Sequence, residues 1–335
     1  RDSLGSRGLG DVYKRQASKL LPLKGLISES DMSDRQQYPS DPGMVWFNDK
    51  ISADFYWECV SREVTISEAP EATKSWGGNG IIGATAAVSW PALDYTYEAI
   101  CWRTKESVGM GKTRLVDLER LAEIDSKPET FMSRDLRSNS ILISPRGNCP
   151  VLFGLRAKTF DSAKINSQYL AESSMTETID GMGVFQTNQA TDDHLPKDST
   201  AFVENITIKR RGTLAVLCKC GTLLMAFAES GDIKLLAQWL KPGDQIKYNG
   251  LQSYDKSIHL ERLSIIKALP DKRRPRCQEC DATLKSMGSD QPLRCPKCRQ
   301  QFPAEWECVE RKPPYIGWVQ PPKDSMRHLA KPTSW

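Results

Sequence analysis

Apolar and polar residues alternate along "FVENITIKRRG" and "TLAVLCKCGTLLMAFA", the period of strands with one buried face, and Gly221 marks a turn inside the second run. "DIKLLAQWL" shifts to a helical period, with Leu235, Leu236, Trp239 and Leu240 on one face, and "KPGD" breaks it. Two more alternating runs follow, "DQIKYNGLQ" and "SIHLERLSIIKA". Five strands with a helix after the third predict an OB-fold β-barrel over residues 200–270. Such barrels often bind single-stranded nucleic acid, although a scaffolding barrel reads the same way. His259 reads as an ordinary strand side chain.

Upstream, "YTYEAICWRT" reads as a strand and "RLVDLERLAEID" as an amphipathic helix. "NSILISP" and "CPVLFGLRA" read as paired strands about the turn "RGN". "TFDSAKINSQYLAES" is a helix capped by Thr159 or Asp161, and "GMGVFQTN" a last strand. This βαββαβ order predicts a ferredoxin-like domain over 91–199. Before it, "ADFYWECVSREVTISEA" looks helical, and "WGGNGIIGATAAVSW" carries Gly77, Gly78, Gly80 and Gly83. Glycines opening a helix let backbone N–H groups approach a phosphate. Close helix packing through Gly83, Ala84, Ala86 and Ala87 accounts for them equally, and the spacing is not that of a Walker A loop. The first sixteen residues lack apolar periodicity and are expected to be a non-native leader. "RKPPYIGWVQPPKDS", in a C-terminal tail over 303–335, reads as an extended, poorly packed connector.

A length of 335 residues implies several domains; 39% hydrophobic and 26% charged residues are ordinary for packed cores. No run of eighteen apolar residues is present. Of ten cysteines, Cys277, Cys280, Cys295 and Cys298 form two Cys-x-x-Cys pairs fourteen residues apart, the spacing of a structural zinc ribbon over 271–302. Two redox pairs are the competing reading, but no thioredoxin-like pattern surrounds them. A reducing cytoplasm suits this cysteine usage. Residues 271–299 hold eight basic and four acidic residues, a net of +4 that equals the charge of the whole chain. Lys272, Arg273, Arg274, Arg276, Arg294 and Lys297 are therefore candidates for nucleic-acid phosphate contacts, with a solvated face as the plain alternative.

"QTNQATDDHLPKD" places Asp192 and Asp193 beside His194, just after Thr187, Asn188 and Thr191. A carboxylate pairs well with a planar guanidinium, so a cationic substrate is one reading. A metal site is another, with few ligands to close it. Thr191 as an N-cap, followed by acids in a first helical turn, is the third.

These segments together resemble the archaeal agmatidine synthetase family. "GGNGIIGATAAVSW", "PRGNCPVLFGLRA", "TNQATDDHL" and "MRHLAKP" are similar to its signature segments, from about Pro42 to the end. The resemblance implies an α+β multidomain chain: part of a kinase-like ATP domain (17–90), then the ferredoxin-like, OB-fold and zinc-ribbon domains. It implies an ATP-dependent ligase using Mg²⁺. Such a ligase joins agmatine to the wobble cytidine of the CAU-anticodon isoleucine tRNA, so that AUA is read. Asp192, Asp193, Asn188 and Thr187 would hold agmatine, with Asp192, at the signature position, favoured as the acid that meets the substrate. Gly78, Asn79, Gly80, Gly83 and Arg156 would meet ATP or phosphate, and Asp135 falls near a family pattern. The family's Asp-Asp-Thr-Asp motif is absent, so the catalytic residues are not identified and about half of the kinase-like domain is expected to be missing. A non-catalytic RNA- or single-stranded-DNA-binding protein, built of OB-fold and zinc ribbon, is the alternative.

Overall fold

The computed structural model describes residues 43–335 except 105, 108–112, 136–138, 146–148 and 289–290. The expected leader, the start of the 17–90 segment and the "RGN" turn lie outside the described residues. Two compact units form: residues up to Pro196 together with Pro321–Trp335, and Lys197–Gln320. No helix among the described residues is long and apolar enough to cross a membrane.

The first unit begins with β1 (Gly43–Trp46), α1 (Asp54–Ser61), β2 (Lys74–Gly77) and α2 (Gly80–Ser89), with β1 and β2 antiparallel. The helix expected over 53–69 stops at Ser61. Arg62 turns back onto Glu58 and Glu68, and a Thr65–Glu68 capping box starts a separate short turn. Next come β3 (Thr96–Arg103), α3 (Leu118–Asp125), the short pair β4 (Arg134–Asp135) and β5 (Ser140–Ile141), β6 (Val151–Ala157), α4 (Phe160–Ala171) and β7 (Ile179–Thr187). The sheet is antiparallel in the order β6-β3-β7.

Ala99 packs with Ala163 of α4, and Cys101 shares a cluster with Leu121, Ile124 and Leu170, so this face of β3 lies under the helices. Each buried Leu or Ile there contributes about 1.5–3 kcal/mol relative to exposure. Asp117 caps α3 by accepting from the N–H groups of Glu119 and Arg120, which is why that helix starts later than the sequence pattern implies. Thr159, not Asp161, caps α4.

Among the described residues, the expected pairing of "NSILISP" with β6 is reduced to one backbone bond, Gly154 N–H to Ile143 O at 2.8 Å. Residues 140–141 pair instead with 134–135. The reason is Arg114, whose guanidinium takes the carbonyls of Pro145, Cys149 and Val151.

In the second unit β8 (Ser199–Ile208), β9 (Leu214–Cys218), β10 (Leu223–Ala226), β11 (Gln245–Gln252) and β12 (Ile258–Lys267) close a barrel in the order β10-β12-β11-β8-β9. Within the barrel the β10–β12 pairing is parallel and the others are antiparallel. Helix α5 (Asp232–Trp239) follows β10 and buries Ile233, Leu236 and Ala237; Leu235, expected on the inner face, is 52% exposed.

Strand β13 (Asp271–Arg273) pairs with β17 (Glu307–Val309). Between them β14 (Lys285–Ser286), β15 (Leu293–Arg294) and β16 (Gln301–Phe302) form a three-stranded ribbon.

The expectation of a poorly packed connector is overturned. Arg311 bonds both oxygens of the fully buried Asp244 at 2.9 and 3.1 Å, donates to Trp239 O and lies 4.0 Å over the Trp239 ring. Val319 pairs with Leu263 within the barrel core. Arg311→Ala leaves a buried carboxylate without its cation and is expected to destabilise this unit by about 3 kcal/mol, read as a lower melting temperature or denaturant midpoint.

Candidate functional site

The acid-bearing loop leaves β7 at Thr187. The Thr187 hydroxyl is buried and 3.1 Å from that of Thr96, which donates to Gln189 O at 2.8 Å. Thr187 therefore anchors the loop from inside and presents no group to a ligand. Thr191 accepts from Asp193 N–H at 3.3 Å, but no helix follows. The N-cap reading is thereby corrected: Asp192 has φ 63°, and Pro196 lies too close to continue a helix.

The two acids have different surroundings. Asp192 accepts the Lys331 N–H at 2.6 Å and donates its own N–H to Leu329 O at 2.8 Å. Asp193 accepts from the Tyr56 hydroxyl of α1 at 2.5 Å, and Asn188 donates to the same hydroxyl at 3.1 Å. Burial pushes the Asp193 carboxyl above the usual range and the Asp94 charge adds to this, against the Tyr56 and Thr191 bonds and His194. Burial and the bond to Asp193 push the Tyr56 hydroxyl up as well, so it stays protonated as a donor. A half-buried carboxylate held by hydroxyl groups alone can take a guanidinium or ammonium group. Nothing in the sequence of α1 singled out Tyr56; the stretch read only as helical.

Beneath the loop lies a buried polar group. Gln189 donates to Glu98 at 2.7 Å, and Glu98 pairs with Arg156 at 3.4 Å. Gly154 makes room for that carboxylate, since a Cβ there would stand 2.5 Å from Glu98 Oε1. Arg156 is 3% exposed and also donates to Met132 O, so the phosphate contact expected of it is corrected: its guanidinium is committed to Glu98 in the interior. His328 sits in the same region, its pKa pushed down to about 3 by burial and by the Arg156 charge.

Residues 321–335 run across this unit as a strap. Lys323 pairs with Asp125, and Lys331 Nζ with Asp94 at 2.9 Å. Trp335 packs edge-on against Phe131 beneath the Lys158 ammonium. Ala190, at φ 54°, is fully buried among Phe131, Met132, Met326 and Trp335. Left-handed backbone costs a residue such as alanine about 1 kcal/mol or more, and aspartate less, so the loop carries that cost chiefly at Ala190.

Of the glycine segment, Gly78 and Asn79 accept from Ile81 and Ile82 at 3.0 Å in the turn that opens α2. Gly80 begins the helix, and Gly83 lies one turn inside it. A Cβ on Gly43 would stand 1.9 Å from Ile81 N, so β1 packs directly against this end of the helix. Asp135 is buried in the short β4–β5 pair.

In the second unit the Cys277, Cys280, Cys295 and Cys298 sulfurs all lie within 4.8 Å of one another. Cys277–Cys298 and Cys280–Cys295 are 3.5 and 3.2 Å apart. Ligands about 2.3 Å from a tetrahedral zinc are about 3.8 Å apart, so the four thiols fit such an ion with small adjustment. Burial raises the Cys295 thiol, but the backbone N–H groups of Cys298 and Lys297 and the Cys280 thiol outweigh it and bring it to about 6.

Lys272, Arg273 and Arg274 are exposed on or beside β13, with Arg274 5.6 Å over the Trp306 ring. Arg276 is paired with Asp281, Arg294 is half-buried on β15, and Lys297 lies in the second cysteine turn.

Residues 78–194 match the TiaS FLD domain, which takes in the glycine turn, the sheet with its helices, and the acid loop. Among curated relatives, the tRNA 2-agmatinylcytidine synthetase TiaS of Saccharolobus islandicus is 34% identical over 67% of this chain and 53% of its own length. That of Ignisphaera aggregans is 31% identical over 78% of this chain and 61% of its own. A crystal structure of apo TiaS superposes with a TM-score of 0.69 at 26% identity, covering 84% of this chain and 73% of that one. A complex of TiaS with its isoleucine tRNA and ATP gives 0.68 at 26%, over 84% and 72%. The chain belongs to the tRNA 2-agmatinylcytidine synthetase (TiaS) family. It spans somewhat over half the length of the first two relatives.

Proposed function

We propose that the chain acts in the ATP-dependent joining of agmatine to the wobble cytidine of the CAU-anticodon isoleucine tRNA, in the cytoplasm. The carrying observation is Asp193, half-buried beside Tyr56 and Asn188 within a stretch that matches the TiaS FLD domain. In this reading Asp193 pairs with the guanidinium of agmatine, and Tyr56 and Asn188 hold the carboxylate in place. Asp192 contributes by fixing the loop. ATP, with Mg²⁺, supplies activation of the cytidine C2 oxygen before the agmatine amine displaces it. The Gly78–Asn79–Gly80 turn is the candidate for ATP phosphates.

The finer architecture belongs to the same proposal. The 1-2-3-5-4 barrel connectivity, with its parallel β10–β12 pairing and a helix after the third strand, supports an OB-fold. The β7-β3-β6 sheet supports a ferredoxin-like domain, the 43–90 segment part of a kinase-like domain, and the four cysteines a structural zinc ribbon. Lys272, Arg273, Arg274 and Lys297, with Arg276 and Arg294 at the edges, form the tRNA phosphate patch. Trp306, under Arg274, adds a ring on which an unstacked base can lie.

The test incubates the chain with the CAU-anticodon tRNA, Mg-ATP and labelled agmatine, then weighs the wobble nucleoside. Incorporated agmatine supports the reading. Salt-sensitive tRNA binding with no agmatine bound or incorporated would leave an RNA-binding protein.

A pH dependence follows from Asp193. Its carboxyl is raised in the folded protein, so the stability it contributes is present below its unfolded value and is lost as pH rises through the folded value. A guanidinium partner restores it only where Asp193 is ionised. Agmatine is expected to raise the melting temperature more at about pH 7 than at about pH 4, near the ordinary aspartate value. An equal shift at both would show that the ligand does not pair with this acid.

A further inference from the structure

We propose that the C-terminal strap, through the Lys331 N–H and the Leu329 and His328 carbonyls, is the positioning element that sets the acid loop for agmatine. The proposal rests on the assignment of Asp193 above.

The loop's own bonds, Thr191 to Asn188 O and Leu195 N–H to Asp192 O, both at 2.8 Å, leave the amides of Ala190 and Asp192 to the strap. Ala190 and Asp192 both stand in left-handed backbone, which alanine rarely adopts and aspartate adopts more readily. Three contacts from the strap meet them there: Ala190 N–H to His328 O at 2.9 Å, Asp192 N–H to Leu329 O at 2.8 Å, and Lys331 N–H to the Asp192 carboxylate at 2.6 Å. The strap in turn is fixed at both ends, by Lys323 on Asp125 and by Trp335 between Phe131 and Lys158. Asn188 and Asp193 flank the two constrained residues, so their aim at Tyr56 depends on those constraints. Glu98, Arg156 and His328 lie below but do not bond the Asp193 side chain. Asp192 acts here through the strap, and its role is positional.

Lys331→Pro removes the N–H that Asp192 accepts, whereas Lys331→Ala keeps it and loses the surface pairing with Asp94. Asp192→Asn retains an oxygen acceptor that Asp192→Ala lacks. In the full chain, Lys331→Pro and Asp192→Ala are expected to weaken agmatine binding about 10-fold or more, the loss of one bond to a charged acceptor. Lys331→Ala and Asp192→Asn should lose markedly less. The ratio of agmatine to putrescine affinity, which reads the guanidinium end, should fall with Lys331→Pro while tRNA affinity stays as in the parent.

Amide hydrogen exchange supplies a readout that needs no ligand: Ala190 and Asp192 should exchange faster in Lys331→Pro. Unchanged exchange at these amides overturns the proposal, as does parent-like agmatine binding by Lys331→Pro. So does a parallel loss of agmatine binding, tRNA binding and melting temperature, which would mark a purely structural role. If the parent chain binds no agmatine but exchange still rises, the assignment of Asp193 fails and the strap's hold on the loop stands.

Discussion

Asp193→Asn is expected to weaken agmatine binding by about 100-fold, since removing one partner of a partly desolvated charge pair costs about 3 kcal/mol. The substitution preserves shape. The amide oxygen can still accept the Tyr56 hydroxyl, so α1 and the loop keep their contact. What is lost is the negative charge opposite a guanidinium, and the loss is specific to cationic ligands. Tyr56→Phe offers the contrast. It removes the donor to Asp193 and the acceptor for Asn188, leaves the charge in place, and is expected to cost only about 10-fold, the value of one hydrogen bond to a charged group. Calorimetric titration of both variants with agmatine and with uncharged analogues checks this order. Asp193→Asn binding agmatine as the parent does would move the guanidinium site elsewhere.

Cys295→Ser is expected to abolish zinc binding and unfold residues 271–302 without melting the barrel. The ribbon's own core is small: Leu284 and Leu293 are the buried aliphatic residues, with Phe302 and Ala282 partly buried against them. Apolar burial in a module of this kind cannot offset its chain entropy. Structural zinc supplies about 10 kcal/mol or more in such modules at neutral pH, far beyond what these few side chains contribute. One equivalent of zinc should be released from the parent by a chelator and be missing from the variant. Amide exchange in 271–302 should rise while that of β8–β12 does not. Because the candidate phosphate contacts lie on and around this ribbon, tRNA affinity and its salt dependence should fall in step with zinc content. A parent chain that contains no zinc yet keeps a protected ribbon would show that the four thiols act otherwise.

The sequence announced those elements whose residues obey one local rule. The barrel strands alternate cleanly because one face meets a core and the other meets water. The cysteine pairs declare themselves because metal geometry fixes their spacing. The acid loop was visible as chemistry, but which acid does what was not. Asp192 and Asp193 are adjacent and identical in type, and they are distinguished only by what faces them: a strap from 139 residues further along the chain for one, and Tyr56 from 137 residues before for the other. No local pattern encodes contacts of that range. The same limit hid the destiny of Arg156, a strand-end arginine that looks exposed until Glu98 and the strap cover it. It also hid Arg311, which sits in a proline-rich stretch that reads as a loose connector yet pins the barrel through Asp244.

The first unit is discontinuous: its last piece, Pro321–Trp335, is separated from the rest by all of Lys197–Gln320. A ribosome makes the acid loop well before it makes the residues that hold that loop in its left-handed turns. During synthesis the loop therefore waits, unclasped, through the emergence of the barrel and the ribbon. A chain that stops before Pro321 is expected to form its sheet, barrel and ribbon while the acid loop is left without the contacts that set it.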